Sequence, residues 1–147
     1  MNKSPLSGFF LLLTSILLTQ GIHAEQFFKV GSAEAHYVVL NTMFLQPDIA
    51  KQYQITRGND RAIVNISFIS KDGVALRGLV QGQVKNLLGQ LQTLKFREIV
   101  EKNAVYYIAP LIYTNRDTLV FEIDVELPDE ANKHFEFQER MYLDSDR

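Results

Sequence analysis

From about residue 27 to the end, apolar and polar positions alternate with period two over most of the chain. That is the mark of strands with one face buried. The clearest run sets Leu119, Phe121, Ile123, Val125 and Leu127 on one face against Val120, Glu122, Asp124 and Glu126 on the other. Ala62, Val64, Ile66 and Phe68 form a second such column, and Phe135, Phe137, Met141 and Leu143 a third that Glu139 interrupts. Turn residues separate the runs: Asp72-Gly73, with the chemistry of a type I′ hairpin, then Leu88-Gly89-Gln90, Glu101-Lys102-Asn103, Asn115-Arg116-Asp117 and Pro128-Asp129-Glu130. The pattern predicts strands over Ala33–Phe44, Arg61–Ser70, Val74–Val84, Leu91–Val100, Ala104–Tyr113, Thr118–Leu127 and Lys133–Leu143. One short helix is expected over Pro47–Tyr53: Pro47 suits the first helical position, Asp48 the positive helix end, and Ile49, Ala50 and Tyr53 the buried side.

These elements predict an all-β fold, an antiparallel immunoglobulin-like sandwich of about seven strands with one short helix. The cysteines and tryptophan of true immunoglobulin domains are absent, so the likeness is architectural. If the last two strands pair as a hairpin, one register sets Glu122 opposite Arg140. Gly78 and Gly82 face the same way in a strand and leave room for a ring or for close backbone approach. Tyr106 and Tyr107 are adjacent on a strand, so one ring is expected in the core and the other partly wet. Pro110 marks a strand end or a sheet edge.

The first 24 residues do not follow this pattern. Lys3 is followed by an apolar stretch from Gly8 to Leu18 and by the small residue Ala24. This is the order of a secretory signal peptide cleaved after Ala24, and the stretch is too short to span a bilayer. The expected mature product is a single domain over 25–147, periplasmic and without a stable membrane anchor. The chain has no cysteine, so neither disulfides nor a lipid on an N-terminal cysteine are available to it. Its formal net charge is −2, and loss of Lys3 with the leader makes the domain one unit more acidic. Nucleic acid is therefore not an expected partner.

Catalytic motifs are sparse. There is no thiol and no G-x-S-x-G elbow. His36 and His134 lie at opposite ends of the domain sequence. The Glu122, Asp124, Glu126 ladder spaces alternate Cα atoms about 6.6–6.8 Å apart, too far for all three carboxylates to share one calcium ion. Gly78 to Gly82 lies in a strand with no helix after it and is not a phosphate cradle. No catalytic residue, metal ligand or cofactor is assigned.

Several strings stand together: Asn41-Thr42-Met43-Phe44-Leu45-Gln46-Pro47-Asp48-Ile49-Ala50 with Tyr53, Asn86-Leu87-Leu88-Gly89-Gln90, Phe96-Arg97-Glu98-Ile99, and Tyr106-Tyr107-Ile108-Ala109-Pro110. With them the chain resembles the bacterial family catalogued as domain of unknown function 4426, small secreted proteins of proteobacteria. The resemblance implies a periplasmic single-domain protein and assigns no activity. In physical terms, Gly89 is expected at a special backbone angle, Asn86 bonded to its own loop, and Arg97 and Glu98 on opposite faces. The expected function is a non-enzymatic binding or assembly module with an unknown protein partner or small ligand. Its candidate binding residues are Asn41, Tyr53, Asn86 and Gln90, from the Asn41–Tyr53 and Asn86–Gln90 loops that could meet as a recognition surface on a rigid sandwich, and the strand tyrosine Tyr106. The alternative is a small periplasmic enzyme, built on His36 and His134, or a carrier of an apolar ligand.

Overall fold

Two antiparallel sheets face each other in the computed structural model, which describes residues 26–143. The expected leader, Met1–Ala24, lies outside the described residues. The strands are β1 (Phe27–Val30), β2 (Ala33–Asn41), β3 (Arg61–Ile69), β4 (Ala75–Leu76), β5 (Leu79–Asn86), β6 (Leu91–Leu94), β7 (Arg97–Glu101), β8 (Ala104–Ile112), β9 (Thr118–Glu126) and β10 (Lys133–Arg140). The first sheet runs β1-β2-β3-β8-β7, with β4 paired to the far end of β3; the second runs β10-β9-β5-β6. A 3-10 turn, Thr42–Phe44, and one α-helix, α1 (Pro47–Gln52), join β2 to β3. The all-β antiparallel sandwich with one short helix is thus the observed architecture.

The described residues hold ten strands, three more than the expected seven. β1 lies ahead of the first predicted run and pairs with β2 from Phe27↔His36 to Val30↔Ala33. The other two arise because two predicted single strands each cross from one sheet to the other. Val74–Val84 breaks at Arg77-Gly78, and Leu91–Val100 breaks at Lys95-Phe96. Periodicity cannot reveal such a crossing, since both halves keep alternating. The second break has a covalent reason. β7 pairs with β8 as far as Arg97↔Ile108, and the next bonding position on β8 is Pro110, which has no N–H to donate. The ladder stops there, and β6 runs instead in the second sheet, from Lys85↔Leu91 to Gly82↔Leu94. At Ile112, where β7 is missing, the Gln92 side-chain amide replaces a strand: it donates to the Ile112 carbonyl at 2.6 Å and accepts from its N–H at 3.0 Å.

Between the sheets lies a core that includes Phe68, Ile66, Val84, Phe121 and Ile123, all fully buried. Stacked rings cross it. Phe121 lies 4.6 Å from Phe137, Phe137 4.1 Å from Tyr37, and Phe135 4.4 Å from Phe28. A second, smaller cluster covers the outer face of the first sheet, where Leu45, Ala50 and Ile55 pack on Leu40, Ile63, Tyr106 and Ile108. This second layer corrects the expectation for the tyrosine pair: each ring does point to its own face, but both are 5 % exposed because both faces are covered. It also explains the unbroken run of buried residues from Ala62 to Ile66.

Other local expectations divide. Gly89 has φ +82°, and the Asn86 carboxamide oxygen accepts from Leu88 N at 3.1 Å and Gln90 N at 3.0 Å. Of Asp72-Gly73 only Gly73 has positive φ, so that turn is not type I′. The Ser70 hydroxyl caps it by accepting from Val74 N at 3.1 Å. β9 and β10 do form a hairpin, but in a register that sets Glu122 opposite Glu136 and Arg140 opposite Thr118, not Glu122 opposite Arg140. Lys85 on β5 neutralises Glu122 instead. Glu139 is half-buried in unbroken register with Leu119, without a bulge.

Gly82 shows the close backbone approach. A Cβ there would sit 2.7 Å from the Glu122 carbonyl oxygen and 2.7 Å from Ile123 Cδ1. Alanine would restrict the unfolded chain, worth about 0.4–1 kcal/mol, but a clash with backbone costs about 1–3 kcal/mol. Gly82→Ala is therefore expected to lower stability in urea unfolding, and an unchanged midpoint would contradict the close approach.

Candidate functional site

The loop after β2 is built from the sequence outward. Asn41 caps the 3-10 turn by accepting from Met43 N at 2.7 Å. Its amide donates to the Asn59 carbonyl at 2.8 Å and also bonds the Tyr113 hydroxyl. That hydroxyl in turn lies 2.8 Å from Asn59 O and 3.0 Å from Tyr142 O. Pro47 opens α1 as expected. The helix closes in a Schellman arrangement: Ile55 N bonds Ala50 O at 2.7 Å and Gln54 N bonds Lys51 O at 3.1 Å, with Ile55 and Ala50 in the same apolar cluster. The residue that must take the left-handed conformation there is normally glycine. Here it is Gln54, at φ +53°, which costs about 1–2 kcal/mol. Backbone strain of this kind collects at functional sites.

Gln54 lines a cleft of about 290 Å³. The cleft opens between the residues after α1 and the edge of β8 that Pro110 leaves without β7. Ile55, Ile63, Ile108 and Ile112 form its apolar floor and sides; Gln54, Thr56, Arg61, Gln92 and Arg97 supply polar groups from four elements. Arg97 is fixed at the wall, its Nη2 donating to the Tyr53 carbonyl at 2.6 Å, where a cation suits the helix C-terminus. Among the described residues its lining contains no carboxylate and no imidazole.

Against this cleft the sequence candidates fall in different places. Tyr53 stands behind its wall, half-buried, with its hydroxyl on Glu101; burial, and then Glu101, push its ionisation up. Tyr106 lies under α1, pushed up to about 12 by burial with Glu101 adding to it. Asn41 is 2 % exposed and engaged in its network. Asn86 and Gln90 form a separate turn, joined to each other at 2.7 Å. Beyond them project Leu87 and Leu88, 73 % and 85 % exposed. Arg61, Arg97, Gln92 and Gln54 were missed; the signal that pointed to them was Pro110 inside a strand.

His36 and His134 do not meet. His36 stacks on Phe27 outside the first sheet, with Nε2 3.1 Å from Glu34. His134 lies outside the second sheet, so the sandwich stands between them. A depression of about 490 Å³ includes His134, Asp124, Glu122 and Gln81. It is larger than the cleft, but its acids are already matched, Glu122 by Gln83 and Lys85 and Asp124 by His134 at 2.8 Å. Among the described residues no group of three or more His, Cys, Asp or Glu is placed to hold a metal ion. The hydrogen bond to Asp124, and less so Glu136, raises His134 above its ordinary 6.5. Whatever this contact adds to stability is complete below 6.5 and is lost as pH rises through the raised value. An NMR titration is expected to place His134 above 6.5 and to show it fall in Asp124→Asn.

The pattern of the DUF4426 domain of unknown function matches residues 27–144. The chain belongs to the DUF4426 family. A DUF4426 protein of Pseudomonas aeruginosa PAO1, solved as a crystal structure, is 32 % identical with a TM-score of 0.73, over 84 % of this chain and 98 % of that one. FetP of uropathogenic Escherichia coli F11, expressed recombinantly in the periplasm, shares the fold at TM-score 0.61 and 10 % identity, over 82 % of this chain and 95 % of its own. A copper-bound FetP variant gives 0.57 at 10 % identity, over 82 % and 91 %. No curated protein matches the sequence. For this DUF4426 chain, no helix among the described residues is long and apolar enough to cross a membrane.

Proposed function

We propose that this DUF4426 protein is a non-enzymatic binding module of the periplasm and that the cleft beside Pro110 is where it binds. The observation that carries this reading is the lining: an apolar floor with convergent amides and guanidiniums and, among the described residues, no acid, base or thiol to run a reaction. The strained Gln54 on the rim supports it. The periplasmic setting rests on the leader-like N-terminus and the periplasmic expression of the FetP fold relative. The copper of the FetP variant is not carried over, because among the described residues no group of three or more His, Cys, Asp or Glu is placed to hold a metal ion.

Equilibrium dialysis of the mature chain against periplasmic small-molecule extract, read by mass spectrometry, tests the reading. Ile112 is 49 % exposed and lines the cleft, so Ile112→Trp fills it without disturbing the core. Compounds enriched by the natural chain and lost with Ile112→Trp are expected; enrichment of nothing, or of the same compounds by both, would overturn it. Gln54→Gly supplies a second check. Relief of the left-handed strain outweighs the added freedom of the unfolded chain by about 0.5 kcal/mol, so the variant is expected to be slightly more stable and to bind less well. A variant less stable than the natural chain would contradict the strain.

A further inference from the structure

Resting on the cleft as binding site, we propose that its ligand is a small carboxylate with a short apolar body. Arg61 and Arg97 would hold the carboxylate, with the apolar part lying on Ile55, Ile63 and Ile108. Size sets the first limit. About 290 Å³ is at the lower end of ligand sites, enough for one small molecule and too little for a nucleotide or a two-chain lipid. Charge sets the second. Two guanidiniums and, among the described residues, no acid enter the lining, so a cationic ligand would be repelled.

Neither arginine is used up. Arg97 gives one N–H to the Tyr53 carbonyl, and a guanidinium has five. Arg61 Nε lies 3.9 Å from Asp60, with the two side chains 41 % and 57 % exposed, a contact too long for a hydrogen bond and weak in water. A planar fork of N–H donors matches a carboxylate, and the apolar floor beside it receives the ligand's apolar part. Ile63 and Ile108 are fully buried and Ile55 is 8 % exposed, so the floor is a fixed part of the second cluster. The Gln92 amide is committed to Ile112 and acts as a wall, which leaves the two arginines as the groups that select the ligand's charge.

The test is methyl and amide NMR of the mature chain with octanoate, octylamine, octanol and inorganic phosphate, each to about 5 mM, a range that reads millimolar affinity. Octanoate is expected to shift Ile55, Ile63, Ile108 and Ile112 saturably, while the other three do not. Arg61→Gln and Arg97→Gln are each expected to weaken octanoate about tenfold or more, the loss of one charge-assisted bond. Arg61→Gln keeps the helix contact of Arg97 and so separates binding from structure. Equal shifts from octanoate and octanol, shifts outside the cleft, or unchanged affinity in Arg61→Gln would overturn the carboxylate. No octanoate shift would overturn it too. The cleft itself would still stand if dialysis found a ligand of another charge that Ile112→Trp abolishes, and would fall with it if dialysis found none.

Discussion

Replacing Ile108 with alanine is expected to lower the unfolding free energy by about 2–5 kcal/mol. Ile108 is fully buried in the second cluster, where it meets the layer formed by Leu45, Ala50 and Ile55. A helix as short as Pro47–Gln52 has no stability of its own, so its position depends on that contact. The loss should therefore be local as well as global. Hydrogen exchange at Ala50, Tyr53 and Ile55, whose N–H groups bond within the helix and its cap, is expected to quicken more than at Ile123 in the main core. A uniform increase in both regions would show that the outer layer is not a separate cluster, and with it the cleft wall would lose its basis.

Asn41→Ala is expected to cost about 2–4 kcal/mol in urea unfolding. The substitution removes the acceptor for Met43 N, the donor to Asn59 O and the amide that donates to the Tyr113 hydroxyl, which keeps Asn59 O and Tyr142 O as acceptors. Each buried orphan costs about 1–3 kcal/mol, though Asn59 is exposed and recovers part from water. Tyr113→Phe provides the control. It deletes the other side of the same network, so the double variant should lose less than the two single losses combined. Additive losses would mean that the two side chains act independently. On this reading Asn41 ties β2, the loop before β3 and the residue after β8 together.

Much of the architecture was legible because a half-buried strand writes its face into alternate residues. Leu119 to Leu127 and Ala62 to Phe68 appear where the pattern put them. The short helix was legible too, since Pro47 and the Ile49, Ala50, Tyr53 spacing act locally. What the pattern could not carry was partnership. The crossings at Arg77-Gly78 and Lys95-Phe96 keep the alternation intact while changing sheets. The β9–β10 register sets Phe137 on Phe121 and Phe135 on Ile123, and does not set Glu122 on Arg140. The cleft was hidden for the same reason. Arg61, Gln92 and Arg97 lie on three strands from two sheets, and only the missing N–H of Pro110 hints that these strands part there. Two of the candidates, Asn41 and Asn86, accept from the backbone N–H groups of their own turns, as short polar side chains at strand ends do most readily.

The most direct measurement places a small aliphatic diazirine amino acid, close to isoleucine in size so that it does not fill the cleft as tryptophan does, one position at a time, at Ile112 in the cleft, at Leu88 on the exposed turn, or at Gln81 in the depression of the second sheet. The full chain is expressed, irradiated in intact cells, and read by intact mass. A cleft that binds should give a defined added mass from Ile112 and none from the other two positions. The same measurement reports the mature N-terminus, with Glu25 expected as the first residue. An adduct from Leu88 or Gln81 but not from Ile112 would contradict the assignment of binding to the cleft.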